Sequence, residues 1–306
     1  MRRFLTAFAA LVAVVATPVA GHTLSGSLYE GASPGSAGWT QPRVVVERGE
    51  DRQVYNTTQP VWELHLPRPE RASGAAVLML PGGGLRVLST GASLHDEIDA
   101  LVAEGVAVML LEYRTKQLGP AEIARAKAPP PPPNGPIRFP KMQIVNGNAN
   151  PSPDDPVMNA VLAAARLDAQ TALRMLHSRA SEWHIDPDRI GIIGTSAGGG
   201  VGFAALLADA PNEERPDFLI SIFGPALQDV AVPEARPAPP LFLVTEADHG
   251  PVTDGLIDVF RIWKAADQHV ELQVYDVPNF SMTVDLWGGR LFDWMRERGI
   301  LPDQEK

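Results

Sequence analysis

The chain has 306 residues, no cysteine and a formal net charge of −10 at pH 7. The absence of cysteine excludes disulfides, thiolate nucleophiles and thiolate metal sites. An acidic chain without basic runs is a poor partner for nucleic acid or for an anionic membrane surface. No metal-binding or nucleotide-binding signature occurs, so we expect no metal and no other cofactor. The length suits one large α/β domain.

The N-terminus has the composition of an export signal. Arg2 and Arg3 precede an apolar run over residues 4–16, and small residues follow around Ala20 and Gly21. This layout is typical of a secretory signal peptide, here residues 1–21, and the run is too short for a membrane span. We therefore expect a secreted or periplasmic protein; the alternative is an uncleaved anchor. Residues 22–41 are rich in Gly, Ser and Pro and predict a flexible lead-in to a domain over 42–306.

Apolar runs predict the order of elements along this domain. Strands are expected at 43–47, 61–66, 75–80, 106–111, 218–222, 241–244 and 270–274, and helices at 94–104, 158–182, 256–266 and 291–298. Strands that alternate with helices predict an α/β fold with a mostly parallel central sheet and helices on both faces.

A Pro-rich insertion over residues 115–158 interrupts this alternation of strands and helices. Its five consecutive prolines, at 129–133, favour a polyproline II segment. An insertion of this length is more often a functional lid than a passive linker, and the alternative is a disordered surface loop.

Two pentapeptides fit the pattern G-x-S-x-G, at 31–35 and 194–198. The first lies in the Gly/Ser/Pro stretch with no strand before it, and we interpret it as linker. The second follows an apolar run over 189–193 and precedes a small, apolar run over 201–208. Strand, sharp turn and helix are the context of a nucleophile elbow, which makes Ser196 the candidate nucleophile.

Serine acyl transfer also needs oxyanion donors and a carboxylate that orients the base. The amide of Ala197 is one expected donor. The second is expected from the glycine block after the strand at 75–80, with Gly83 first and Gly84 next. Asp248 follows the strand at 241–244, at the end where open α/β sheets place their sites, and is the expected carboxylate.

The usual base is missing from its expected place. None of the seven histidines lies beyond position 269, although the base is expected in the loop after the strand at 270–274. His269 precedes that strand and therefore lies at the wrong end of the sheet. His249, next to Asp248, is the first candidate for a substitute base, and His95 is the second.

Several motifs together resemble one family. They are Pro81-Gly82-Gly83-Gly84, Glu112-Tyr113-Arg114, the segments at 60–67, 168–174 and 183–191, Ser196-Ala197-Gly198-Gly199 and Ala247-Asp248. From about residue 54 to 301 the chain resembles the esterase/lipase-like α/β-hydrolases grouped with acetylxylan and feruloyl esterases, also called xylanase-B-like or dienelactone-hydrolase-like. The resemblance implies an α/β-hydrolase fold and carboxylester hydrolysis. The family's final Gly-His-Gly-Phe motif aligns near residues 278–281, where Phe280 or Pro278 takes the histidine position.

The resulting hypothesis is a secreted serine-type carboxylester hydrolase that acts on small-molecule or carbohydrate esters, with activity lowered by the missing histidine. It expects no nucleic-acid partner and no membrane after signal cleavage. The alternative is a pseudoenzyme that binds a ligand in the ancestral pocket without turning it over. The residues do not indicate the acyl group, the alcohol or the oligomeric state.

Overall fold

A computed structural model describes residues 21–129, 141–233, 238–277 and 282–303. These residues form the strands β1 (His22–Ser27), β2 (Val44–Arg48), β3 (Asp51–Tyr55), β4 (Val61–Leu66), β5 (Ala76–Leu80), β6 (Val87–Ser89), β7 (Ala107–Glu112), β8 (Ile190–Thr195), β9 (Leu219–Ile222), β10 (Leu241–Glu246) and β11 (Val270–Tyr275). The helices are α1 (Ala92–Ala103), α2 (Pro120–Lys127), α3 (Pro156–Ser178), α4 (Ala197–Leu207), α5 (Pro251–Ala265) and α6 (Val284–Glu297).

The central sheet has eight strands in the order β1-β4-β7-β5-β8-β9-β10-β11. The pairs β1–β4 and β4–β7 are antiparallel and the other five pairs are parallel, so β4 alone runs against the rest. The predicted, mostly parallel sheet is therefore confirmed. Because β5, β8 and β10 run in the same direction, the residues that follow them meet at one edge of the sheet.

Helices cover both faces of this sheet, as predicted. On one face, α1 and α6 bury Ile98, Leu101 and Trp287 against outward residues of β5 and β7. On the other face, α3, α4 and α5 bury side chains that include Leu173 and Trp263. All five residues of β5 are buried, which explains why it is a continuous apolar run rather than an alternating one.

A second, antiparallel sheet of three strands, β2-β3-β6, lies apart from the central one. The run predicted at 43–47 belongs here. Neither β3 nor β6 was predicted, because β3 begins with the polar run Asp51-Arg52-Gln53 and β6 has only three residues. The sheet positions the glycine block, since the Ser89 amide of β6 donates to the Gly82 carbonyl at 3.0 Å.

The expectation of a flexible lead-in at 22–41 is wrong for its first part. Residues His22–Ser27 form β1 and pair along their whole length with β4. Leu28 is buried, and Trp39 packs against the core. The segment owes its order to pairing and docking on distant residues, which its own Gly/Ser-rich composition does not reveal. Residues 1–20, most of the predicted signal peptide, lie outside the described residues.

The insertion at 115–158 contains α2 and the start of α3, and its residues 130–140, with most of the proline run, are outside the described part. The stretch from 146 to 150 is docked by hydrogen bonds. The side-chain amides of Asn146 and Asn148 donate to Asp229 at 3.1 and 3.0 Å, and the Gly147 amide donates to Asp258 at 2.7 Å. Residues 146–150 are therefore ordered against the rest of the domain and do not form a disordered loop.

All four predicted helices begin earlier than predicted, and α1 starts at Ala92. The helix α3 starts at Pro156, after the Asp155 side chain accepts the amides of Val157 and Met158. Proline at the first position and an acidic cap are ordinary helix starts that an apolar pattern alone does not show. Similarly, α5 starts at Pro251 and α6 at Val284. None of the described helices combines the length and apolarity needed to cross a bilayer.

A buried ion pair joins distant parts of the chain. The Arg114 guanidinium and backbone amide, just after β7, donate to the Asp168 carboxylate of α3 at 2.8–3.0 Å. The Tyr29 hydroxyl donates to the same carboxylate at 2.8 Å, and Arg114 also donates to the Pro34 carbonyl. The pair therefore ties the segment after β1 to the sheet and to α3.

Candidate active site

Ser196 occupies the sharp turn between β8 and α4. Its backbone has φ 52° and ψ −124°, an uncommon conformation for a residue other than glycine. Its amide donates to the Ile222 carbonyl at 2.9 Å, which holds the turn against the neighbouring strand. A serine kept in a strained turn at the carboxyl edge of a parallel sheet has the geometry of a nucleophile elbow.

Close packing explains the glycine two residues after Ser196. A Cβ atom at Gly198 would lie 2.0 Å from the Leu80 carbonyl oxygen, so only glycine lets α4 pass this close to β5. The same closeness brings the elbow beside the glycine block. A Cβ at Gly82 would lie 3.0 Å from the Ser196 Cβ, so the block is in contact with the candidate nucleophile.

The glycine block is held in a defined shape. Gly83 has φ 136°, and a Cβ there would lie 2.0 Å from the Val87 carbonyl oxygen, so no other residue fits. The Gly83 carbonyl accepts the amides of Arg86 and Val87 at 3.1 and 3.2 Å. Beneath the block, the fully buried Tyr113 hydroxyl donates to the Pro81 carbonyl at 2.5 Å. These contacts preorganise the backbone next to Ser196.

A cavity of about 300 Å³ opens at Ser196. Its walls include Gly84 and Ala197, two of the predicted oxyanion residues. Apolar side chains from five segments make up much of the rest: Leu85, Met142, Met158, Leu162, Leu227 and Val252. The insertion contributes Met142 and residues 149–152, so the described part of the insertion shapes this cavity.

His249 lines the same cavity as Ser196, although the two residues are far apart in sequence. It is half-buried in the turn just before α5, and its ring packs on Phe223 with 5.7 Å between ring centroids. Burial lowers the pKa of His249, which favours the neutral imidazole. A neutral imidazole can accept a proton near neutral pH.

The other predicted site residues lie in several different places. Asp248 is exposed after β10, its amide donates to the buried Glu246 carboxylate at 3.1 Å, and it is not among the described residues that line the cavity. Gly83 lines a second cavity that Ser196 also reaches. His95 lines a separate groove with Thr90 and Glu112. Residues 278–281, where the family's histidine motif aligns, lie outside the described residues.

Two residues beside Ser196 were missed by sequence reasoning. Glu97 of α1 and Phe223, after β9, line the second cavity with Ser196. A signal for Glu97 was present, because it falls on the same helical face as Leu94, Ile98 and Leu101, where a charged residue is unusual. Phe223 has φ 37°, which only the folded backbone reveals.

Within the described parts of the chain, no group of three or more His, Cys, Asp or Glu residues is arranged to hold a metal ion.

Parts of the chain are similar in sequence to known esterases. Residues 155–227 match the family model described as BD-FAE. An acetylxylan esterase of Xylanibacter ruminicola is 26% identical over 155 residues, which cover 51% of this chain but only 23% of that relative.

Solved structures share the architecture. An acetyl ester-xyloside bifunctional hydrolase from Caldicellulosiruptor lactoaceticus matches with a TM-score of 0.52 and 18% identity, over 80% of this chain and 90% of that one. The native esterase Est2 of Thermogutta terrifontis matches with a TM-score of 0.55 and 15% identity, over 87% and 95% of the two chains. Likeness at such low identity establishes the fold alone. The chain therefore has the α/β-hydrolase fold, and over the matched segments its sequence is similar to that of esterases.

Proposed function

We propose that this protein is a serine-type carboxylester hydrolase and that Ser196 is its nucleophile. The observation that carries the proposal is the backbone of Ser196, held at φ 52° and ψ −124° at the wall of an apolar cavity. A structural serine has no need of this conformation, which costs about 1–3 kcal/mol. An elbow needs it, because it exposes Oγ to the substrate.

The acyl group of the ester occupies the apolar cavity in this proposal. The carbonyl oxygen, on which negative charge develops, then faces the amide of Ala197 at the start of α4 and the amide of Gly83, with Gly84 next. Preorganised amides that stabilise such an oxyanion contribute about 3–4 kcal/mol each to the transition state. Tyr113 supports them through the Pro81 carbonyl.

His249 is the proposed proton acceptor for Ser196. Its burial favours the neutral form, and it lines the cavity that Ser196 lines. Asp248, directly before it, is the proposed carboxylate partner at the end of β10. The backbone amide of Asp248 donates a hydrogen bond to the Glu246 carboxylate. The role of the Asp248 side chain is tested by Asp248→Asn, separately from the test of His249.

We propose esters of small molecules or carbohydrates as substrates. The relative that supports a carbohydrate ester is the acetylxylan esterase, and the matched structure of an acetyl ester-xyloside hydrolase agrees with it. An acetyl or other short acyl group is small compared with a cavity of about 300 Å³.

Covalent labelling tests the nucleophile. A fluorophosphonate probe should label the wild type at Ser196, and Ser196→Ala should lose labelling and lower ester hydrolysis about 10³-fold or more. Ser178→Ala, at the exposed end of α3, is the matched control and should behave as the wild type. Hydrolysis that persists in Ser196→Ala would overturn the proposal.

The base is tested by two histidine variants. His249→Gln should lower kcat/KM about 10²–10⁴-fold, the usual contribution of general base catalysis. His269→Gln removes an exposed histidine at the opposite end of β11 and should leave activity unchanged. Equal activity in both variants would exclude His249 as the base.

A pseudoenzyme is the second candidate, favoured by one observation: no histidine follows His269. It predicts no labelling of Ser196, while an acetylated xylo-oligosaccharide still binds and protects the protein against heat. Phe280→His, or Pro278→His, should then raise activity if the rest of the site is competent.

We also propose export of the chain. The composition of residues 1–21 supports it. Sequencing of the mature N-terminus from the cell exterior or periplasm should find a start between about residues 17 and 23. An intact Met1 in the cytosol would refute it.

A further inference from the structure

A second cavity, of about 350 Å³, also reaches Ser196. It is lined by α1, whereas the apolar cavity is lined by α3 and α5, helices on the opposite face of the sheet. Its lining is also more polar, with Asp51, Ser89, Ser93, Glu97 and Thr195. Two different environments therefore meet at one serine.

Glu97 is the unusual member of this cavity. Only 5% of the residue is exposed, and its Oε2 atom has no hydrogen-bond partner within the described structure. A buried polar atom without a partner costs about 1–3 kcal/mol, so native proteins rarely keep one without a use.

We propose that Glu97 is a second proton-transfer residue, which protonates the leaving alcohol of the ester and then takes a proton from the hydrolytic water. The inference rests on the proposed role of Ser196. The alcohol and the water would occupy the polar cavity, and the acyl group the apolar one. Phe223 adjoins both environments, since it lines the polar cavity and its ring packs on His249.

The protonation states suit this division. Burial, with a smaller contribution from Asp96, raises the pKa of Glu97 to about 8, so that it is an acid at neutral pH. Burial lowers the pKa of His249, so that it is a base. Two groups whose pKa values are moved apart are suited to separate acid and base roles.

The charged groups around Glu97 do not cancel the rise in its pKa. Asp96 lies on its own helix, and Asp51 lies across the cavity. The elements packed against α1 bring Glu63 and His65 from β4, Glu112 from β7 and Arg296 from α6. Arg43 and Arg52 pair with Glu112, Glu104 pairs with Arg296, and His65 lies 2.9 Å from the Glu63 carboxylate, so these groups already have partners of their own.

In acylation, Ser196 Oγ attacks the carbonyl carbon and its proton passes to His249. The bond from that carbon to the alcohol oxygen then breaks, and the oxygen takes the Glu97 proton. The alcohol leaves, with an acyl-serine, an imidazolium and a Glu97 carboxylate behind it. In deacylation, water attacks the acyl carbon and gives a proton to Glu97. The bond to Oγ breaks, Oγ takes the His249 proton, and both groups return to their starting states.

Two esters with the same acyl group separate this role from a structural one. p-Nitrophenyl butyrate has a leaving group that departs without a proton, whereas ethyl butyrate needs one. Glu97→Gln should lower kcat/KM for the ethyl ester about 10²–10⁴-fold, as loss of a general acid does, and leave kcat/KM for the nitrophenyl ester little changed. With the nitrophenyl ester a burst should appear, since the acyl-enzyme then hydrolyses slowly. Asp99→Asn, on an exposed face of α1, should leave kcat/KM for both esters unchanged.

The wild type provides a test that needs no variant. Its kcat/KM for ethyl butyrate should fall as pH rises through about 8, because Glu97 must be protonated to act. Equal losses on both esters in Glu97→Gln, or no fall at high pH in the wild type, would overturn the inference. If Ser196→Ala hydrolyses both esters like the wild type, the proposed function itself fails, whatever Glu97 does.

Discussion

Two buried carboxyl groups, Asp168 of α3 and Glu97 of α1, lie on opposite faces of the sheet with opposite surroundings. Asp168 is 0% exposed and accepts hydrogen bonds from Arg114 and Tyr29. Glu97 is 5% exposed, and one of its oxygens has no partner in the described structure. The first has its polar atoms paired, as buried polar groups usually do. The second faces a cavity beside Ser196.

This difference distinguishes a carboxyl group that holds the fold together, Asp168, from one that lines a cavity at the candidate active site, Glu97. Burial raises the pKa of Asp168, but the hydrogen bonds and charge of Arg114 oppose that rise. Within the described part of the chain, no such partner opposes the effect of burial on the pKa of Glu97. A paired buried carboxylate holds segments together, and its loss should affect stability. A buried carboxyl group without a partner lowers stability, and its replacement should affect ester hydrolysis.

The largest effect expected at a single pH is at the paired group. Asp168→Ala leaves Arg114 buried without its counter-charge and should lower the free energy of unfolding by about 3–5 kcal/mol. Urea unfolding at pH 7 measures it. The double variant Arg114→Met with Asp168→Leu removes both charges and should recover much of the loss. Glu182→Ala breaks an exposed pair with Arg179 and serves as the control. A loss at Asp168 as small as that of the exposed pair would contradict the comparison.

Tyr29→Phe should have a smaller effect of the same kind. It removes one hydrogen bond to a charged group and should cost about 1.5–3 kcal/mol of unfolding free energy. In the Asp168→Ala background the same change should cost much less, because the acceptor is already gone. Equal costs in the two backgrounds would show that Tyr29 does not act through Asp168.

Glu97→Gln should make stability less dependent on pH. The pKa of Glu97 is raised from 4.5 to about 8, so the folded state keeps a proton that the unfolded state loses. Between these values the free energy of unfolding of the wild type should fall, relative to the variant, by about 1.4 kcal/mol for each pH unit. Below and above them the difference should be constant. Urea unfolding from pH 5 to 8 tests this, and a flat difference would refute a protonated Glu97.

The smallest expected effect is at Asp96. Its charge contributes to the raised pKa of Glu97, so Asp96→Asn should lower that pKa by a fraction of a unit, given that two charges 4 Å apart in water interact by only about 1 kcal/mol. A carboxyl NMR titration of Glu97 measures the shift. Asp99→Asn is the matched control, and an equal shift in both variants would mean that Asp96 has no particular effect.

Local sequence was sufficient for the sharp turn at Ser196 and for most of the sheet. The turn at Ser196 depends on residues next to it, namely the strand before, the helix after and the glycines between. The apolar runs of β5, β7 and β10 predicted buried parallel strands in the same way. Such elements are recognisable because the interactions that define them connect neighbours in the chain.

Tertiary structure alone decided the rest. The polar strand β1 is ordered by pairing with β4, and α2 and the docked residues 146–150 depend on partners far away in sequence. The cavity that His249 and Ser196 both line, and the burial that raises the pKa of Glu97, are created by segments from across the chain. A pKa or an exposed fraction depends on what surrounds a side chain after folding. The sequence therefore determined which chemical groups were available, and packing determined which of them share a site.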